Sequence, residues 1–194
     1  MTAADWGEVA ARDPQIQRAA GRFRWTGSWH TAFVAVHCKG GRTLARESAE
    51  KAEATLERYR MAGEDLVVAS GETVGLELAL DVCVAPGHFC SDVAAGLLQR
   101  LSNRRLADGS LGAFHPDRFS FGDPVYLSHV HAAAVDVPGV SAVTVAVFRR
   151  VGTQDTDGLS SGRLDFGPFE IPRLDNDPDF PENGTLRIDT RGGK

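Results

Sequence analysis

Apolar and polar positions along the chain switch between a period of two and a period of 3.6, and each switch marks an element. The clearest strand is Val74 to Val84. Val74, Leu76, Leu78, Leu80, Val82 and Val84 alternate with Gly75, Glu77, Ala79, Asp81 and Cys83, which predicts one buried and one polar face. Trp29 to Lys39 is apolar on both faces, as suits a strand covered on both sides, and Gly40-Gly41 ends it. Leu44 to Met61 reads as a helix with Ala45, Ala49, Ala52, Leu56 and Tyr59 in one stripe and Glu47 paired with Lys51 outside. Gly63 is placed to stop it.

Weaker signals fill in the rest. Asp13-Pro14 looks like a cap with proline at the first helical position, and Ile16, Ala20 and Phe23 follow at helical spacing. Leu66 to Ala69 is a short strand. Ser91 is a candidate cap for a helix carrying Val93, Leu97, Leu98 and Leu101. Asp123-Pro124 repeats the cap-plus-proline signal and opens a helix to about Val135. Val140 to Arg149 is a last core strand with Val143, Val145 and Val147 on one face.

The order predicts an α+β fold: a split βαβ, ferredoxin-like core with an inserted loop and helix, plus a small C-terminal β segment. The expected organisation is a helical lead-in over 1–28, a core domain over 29–150, a linker over 151–161 and a docking segment over 162–194. The linker follows from its Gly, Ser, Thr and Asp content. The docking segment is too short to bury a core of its own.

Composition narrows the function classes. The chain has 194 residues and a formal net charge of -5, which argues against binding along a nucleic-acid backbone. No apolar run is long enough to span a bilayer, and the first residues lack a signal-peptide layout. Cys38, Cys83 and Cys90 have no framework spacing and read as thiols of a protein folded in a cytosol.

Candidate chemistry is sparse. His115-Pro116-Asp117 matches the co-chaperone tripeptide but lacks its context between two helices, the first basic. His129 and His131 would point about 200° apart on a helix and could not share an ion, whereas in a strand they would share a face. Cys83, His88 and Cys90 lack an evident fourth zinc ligand. Asp175, Asn176, Asp177 and Asp179 resemble the start of a calcium loop without its glycine or closing glutamate. A rigid turn, with Asp and Asn side chains bonding local amides, is the plainer reading. No nucleophile elbow or phosphate-cradling fingerprint occurs, so no catalysis, metal or cofactor is expected.

Two stretches stand out. Residues 112–128 form a loop carrying Phe114, Phe119 and Phe121, too aromatic to lie free over a surface. The other runs from Glu170 through Arg173 and the acidic loop to Gly184. With Ile16-Gln-Arg, Trp25-Thr-Gly-Ser-Trp29, Val82 to Gly87, Phe114-His-Pro-Asp117, Phe119-Ser-Phe-Gly122 and Gly192-Gly-Lys194, the chain resembles baseplate assembly proteins of contractile phage tails and phage-tail-like injection systems. These form the J-like baseplate wedge family, and the resemblance is to their C-terminal part, typical members being much longer.

The resemblance implies a structural wedge subunit, assembled in the bacterial cytoplasm into a tail or particle baseplate. Its implied partners are wedge and hub subunits, sheath-proximal proteins and further copies in a six-fold ring, with no nucleic acid and no membrane. Structural or interface candidates are Phe114, His115, Pro116, Asp117, Phe119, Phe121, Arg173, Asp175, Asn176 and Asp177. The alternative is a small-molecule or ion-binding module built on the acidic loop. An enzyme using the histidines near the aromatic loop is a third reading.

Overall fold

Thr2 and Asp5 start the first element by capping each other. The Thr2 amide donates to the Asp5 carboxylate at 2.7 Å, and the Asp5 amide donates to the Thr2 hydroxyl at 3.3 Å. The Thr2 amide holds the Asp5 carboxyl below its ordinary range. This support is therefore present above the ordinary carboxyl value and fades as pH falls through the lowered one. The computed structural model describes residues 1–39, 44–154 and 157–194, with Asp157 described by its backbone alone. Gly40-Gly41 lies outside the described residues. The chain divides into two compact units, Met1–Glu72 with Gly167–Glu170, and Thr73–Phe166 with Ile171–Lys194.

The first unit contains α1 (Ala3–Ala10), β1 (Ile16–Trp25), β2 (His30–Cys38), α2 (Arg46–Leu56) and β3 (Glu64–Ser70). The sheet order is β1-β2-β3, with β1 antiparallel and β3 parallel to β2. Trp6, Ala10, Ile16, Val34, Val36, Leu56 and Leu66 share one core. Gly21 lets α1 lie close on β1, because a Cβ there would collide with the Ala3 carbonyl oxygen and Trp6 Cβ.

Two expectations change here. Residues 16–23 are a strand, not a helix, because pairing with β2 from Ile16↔Cys38 to Trp25↔His30 supplies their backbone partners. Asp13 instead accepts the Gln15 amide in the turn before it, at 2.9 Å. Helix α2 is shorter than the predicted 44–61 and ends in a 3₁₀ turn, Glu57–Tyr59. Ala52 and Leu56 are its buried residues, Tyr59 is exposed, and the i,i+4 pair on its surface is Arg46 with Glu50 at 2.8 Å.

The second unit is built on β4, a strand from Glu72 to Val84. After it come α3 (Cys90–Arg100), β5 (Val125–Tyr126), α4 (Leu127–Val135), β6 (Val140–Arg150), α5 (Asp157–Ser161), β7 (Arg163–Leu164), β8 (Glu170–Arg173) and β9 (Thr185–Gly192). Strand β4 pairs antiparallel with β6 and parallel with β9, and β8 pairs with it as well. Leu76, Leu78, Leu80, Val82 and Val84 face a core made with Val93, Leu97 and Leu101 of the α3 segment, Val130 and Ala134 of α4, Phe148, Leu174 and Leu186.

The α+β class holds, but the strands assigned to one split βαβ sheet lie in two. β2 and β3 are immediate parallel neighbours, leaving no place for a strand between them. Ser91 lies inside α3 with its hydroxyl on Asp92, and Phe89 stands at the cap position. Asp123 does not cap a helix; its carboxylate accepts the Ser120 amide at 2.7 Å, and α4 starts after β5.

A register shift opposite Ala79 and Leu80 pairs these residues with Val147 and Val145. Residue 146 is thereby an extra residue, and it turns Phe148, not Val147, into the core.

The boundaries at 28, 150 and 161 do not coincide with the two units. Part of the 151–161 stretch is α5, while Asp155 and Thr156 lie outside the described residues. Segment 162–194 is no appendage. β9 aligns residue for residue with β4 from Glu77↔Thr185 to Val84↔Gly192, and Leu174 and Leu186 belong to the core. Truncating the chain after Gly184 removes a paired strand and a core leucine, and should abolish cooperative unfolding of the second unit. Leu186→Ala should cost about 2–4 kcal/mol in denaturant unfolding. A truncated chain that melts like the parent would contradict this pairing.

Candidate functional site

The aromatic loop is tied to the end of α3 by main-chain bonds. The Ala113 amide donates to the Arg100 carbonyl at 2.8 Å, Gly112 to Arg104 at 2.9 Å and Phe114 to Ser102 at 3.2 Å. Gly112 is needed for this approach, because a Cβ there would strike the Ser102 carbonyl oxygen. Before the loop, Asp108 accepts both the hydroxyl and the amide of Ser110, at 2.7 and 2.9 Å. These bonds, the hydroxyl's first, hold its carboxyl below the usual range.

Phe114 is 5% exposed and sits in the core of the second unit. Phe119 stacks on it with ring centroids 6.1 Å apart and planes inclined by 22°. Phe121 is half-buried. Between the first two rings, His115 caps a 3₁₀ turn, Pro116–Arg118. Its Nδ1 accepts the Asp117 amide at 3.1 Å, and the Asp117 carboxylate stands 3.6 Å from the same nitrogen. The far end of the loop is clamped where β5 pairs with β7 and the Leu127 amide donates to the Gly162 carbonyl at 2.9 Å.

A cleft of about 540 Å³ opens beside this loop. Phe114, Phe119, Val125 and Val130 supply its apolar surface, and Arg100, Arg118, His129 and Asp136 its polar groups. Arg100 is paired with Asp136 at 2.6 Å. Arg118 donates to the Leu111 carbonyl at 3.1 Å. His129 packs edge-on against Tyr126.

The second group of candidates lies where β8 leads to β9. Asp175 is held from two sides: Arg173 contacts one carboxylate oxygen at 2.6 and 2.7 Å, and the Asn103 amide group donates to the other at 2.8 Å. Asn176 takes a positive φ of 51°, which asparagine tolerates, and its side-chain oxygen accepts the Leu186 amide at 2.9 Å. Asp177 accepts the Asp179 amide at 3.0 Å. The acidic side chains thus bond Arg173, Asn103 and local amides.

The two groups meet through adjacent residues of one loop, since Ser102 accepts from Phe114 and Asn103 donates to Asp175. Sequence reasoning missed Arg100, Ser102, Asn103 and Asp136. Their partners are distant along the chain, and no local spacing announces them.

His129 and His131 both lie in α4, and Cys90 Sγ donates to the Gly192 carbonyl at 3.2 Å. No three His, Cys, Asp or Glu side chains among the described residues come together as a metal site. No helix among the described residues is long and apolar enough to cross a membrane.

Residues 1–69 match the family model of the Baseplate J-like central domain. The likeness to that domain covers 69 of the 194 residues. The matched stretch nearly coincides with Met1–Glu72, the main segment of the first unit, and it supports a structural role in a baseplate. The candidate residues of the aromatic and acidic loops all lie beyond it. No curated protein matches the chain.

Packing and hydrogen bonding should respond differently to mutation. Phe114→Ala should cost about 3–5 kcal/mol by leaving a cavity, while Phe119→Ala, at the cleft, should cost less. His115→Gln removes one cap of a single turn and should cost about 1 kcal/mol or less. Denaturant unfolding of the three variants checks the order. A His115→Gln loss larger than that of Phe114→Ala would reverse it.

Proposed function

We propose that the chain is a wedge component of a contractile-tail or injection-system baseplate, acting through contacts between subunits and not through catalysis. The observation that carries this reading is the J-like central domain in residues 1–69. Residues 73–194 then correspond to the C-terminal part of such proteins. The partners are other wedge and hub subunits and sheath-proximal proteins, with copies arranged about a six-fold axis, and assembly takes place in the bacterial cytoplasm.

The side chains support this reading. His115 uses Nδ1 to cap its own turn, and Asp175 has both oxygens engaged by Asn103 and Arg173. Neither group is set up as a general base or an ion ligand. This disfavours the ion-binding use of the acidic loop. Large apolar side chains are nevertheless presented outward. Trp25 and Trp29, at the two ends of the β1–β2 turn, are 61% and 54% exposed, a pattern that suits protein contacts.

Tail particles from a producing bacterium with a tagged copy of this chain provide the test. The chain should co-sediment with the particles and map to the baseplate by cryo-EM, and cells lacking it should yield no complete baseplates. Complete particles free of the chain would overturn the assignment.

A further inference from the structure

We propose that the acidic Phe180 loop of one copy docks into the Arg118 cleft of a second copy, so that copies join head to tail. This deepens the assembly role and rests on that reading for its biological setting. The physical argument comes from two surfaces of the second unit.

The receiving surface is the cleft beside the aromatic loop. Its interior is apolar, with Phe114, Val125 and Val130 buried and Phe119 half-buried. At its edge Arg118 is exposed and donates to a backbone carbonyl. No ion pair joins Arg118 to a carboxylate among the described residues. The site therefore offers an aromatic surface beside a guanidinium able to grip a carboxylate with two parallel bonds.

The inserting surface has the complementary character. From Asp177 to Glu182 every residue is exposed, and Asp177, Asp179 and Glu182 surround Phe180, itself 52% exposed. The loop is also stiff. Prolines stand at 178 and 181, the Phe180 amide donates to the Asp177 carbonyl at 3.1 Å, and the Asn183 amide donates to the Phe180 carbonyl at 3.0 Å. Asp175 and Asn176 anchor its base. Presenting an aromatic ring on a preorganised loop lowers the ordering cost of binding.

No residue of this loop lines the cleft of its own chain. The loop therefore reaches such a cleft only on another copy. Donor and receiver are different patches, so the contact is heterologous and repeats around a closed ring or along a filament. One ring and one edge ion pair make a small contact, weak alone and reinforced when many copies close together.

Sedimentation velocity of the full chain, at rising concentration and low salt, provides the test. The parent should self-associate, and added salt should weaken it. Phe180→Ala should weaken association by roughly tenfold or more while leaving the melting curve unchanged, since the ring is exposed. Arg118→Glu and Asp179→Arg should each associate poorly alone, and their equimolar mixture should associate, because the intact Arg118 cleft of one variant meets the intact Asp179 loop of the other. A parent that stays monomeric at the highest concentration, a Phe180→Ala chain that associates like the parent, or a mixture no better than its components would overturn the contact.

Particle incorporation separates this proposal from the baseplate reading. Association as described by a chain absent from tail particles sinks the baseplate reading alone. Particles that incorporate a Phe180→Ala chain with unchanged self-association sink this contact alone.

Discussion

The second unit depends on a single constraint: β4 must be paired along both edges. Its thirteen residues carry the apolar row from Leu76 to Val84, and that row is the floor of the larger core. The partners come from far along the chain, with paired residues of β6 lying 56 to 74 residues on and those of β9 108. A buried strand with an open edge would leave amides and carbonyls without partners, which costs more than most single contacts supply. Joining the C-terminal residues to β4 in parallel removes that cost, and it places the acidic loop immediately before β9. The site geometry is therefore a consequence of strand pairing.

Legibility in the sequence followed burial. β4 was readable because Leu76, Leu78, Leu80, Val82 and Val84 all face the core while Glu77, Asp81 and Cys83 alternate with them outside it, Ala79 being buried on that second face. β1 was not. Arg18, Arg22 and Arg24 interrupt its apolar residues, and Ile16, Ala20 and Phe23 fit helical spacing by coincidence. Its actual inward group includes Ile16, Ala19 and Phe23, with a register irregularity between Ile16 and Arg18 breaking the alternation. Strand β9 is similar. Leu186 and Ile188 are its whole apolar content among Arg, Asp and Thr, so only the long-range partner identifies it as a sheet strand.

Register irregularities explain a further part. The Val143, Val145, Val147 row looks regular, yet the shift at residue 146 exchanges Val147 for Phe148. A bulge belongs to a pair of strands, and one strand's pattern carries no record of it. The aromatic loop was legible for the opposite reason. Several phenylalanines in a connecting segment require cover whatever the topology. What could not be read was the set of polar groups securing it, because Arg100 with Asp136 and Asn103 with Asp175 meet only after the chain has folded.

The two candidate loops share one physical feature: most of their polar side chains are used within the fold. A catalytic loop keeps polar groups available toward a substrate. Here His115, Asp123, Asp175, Asn176 and Asp177 are engaged by their own loop or by the segments beside it. Such bonds fix backbone shape and remove reactive valence at the same step. What remains for a partner is surface relief: an apolar cleft edged by arginine on one side, and a stiff acidic turn with an outward ring on the other. Surfaces of that kind recognise by fit and charge, and their rigidity keeps the entropic loss on contact small. In the proposed baseplate role, that rigidity would hold the contacting surfaces in place without any group having to react.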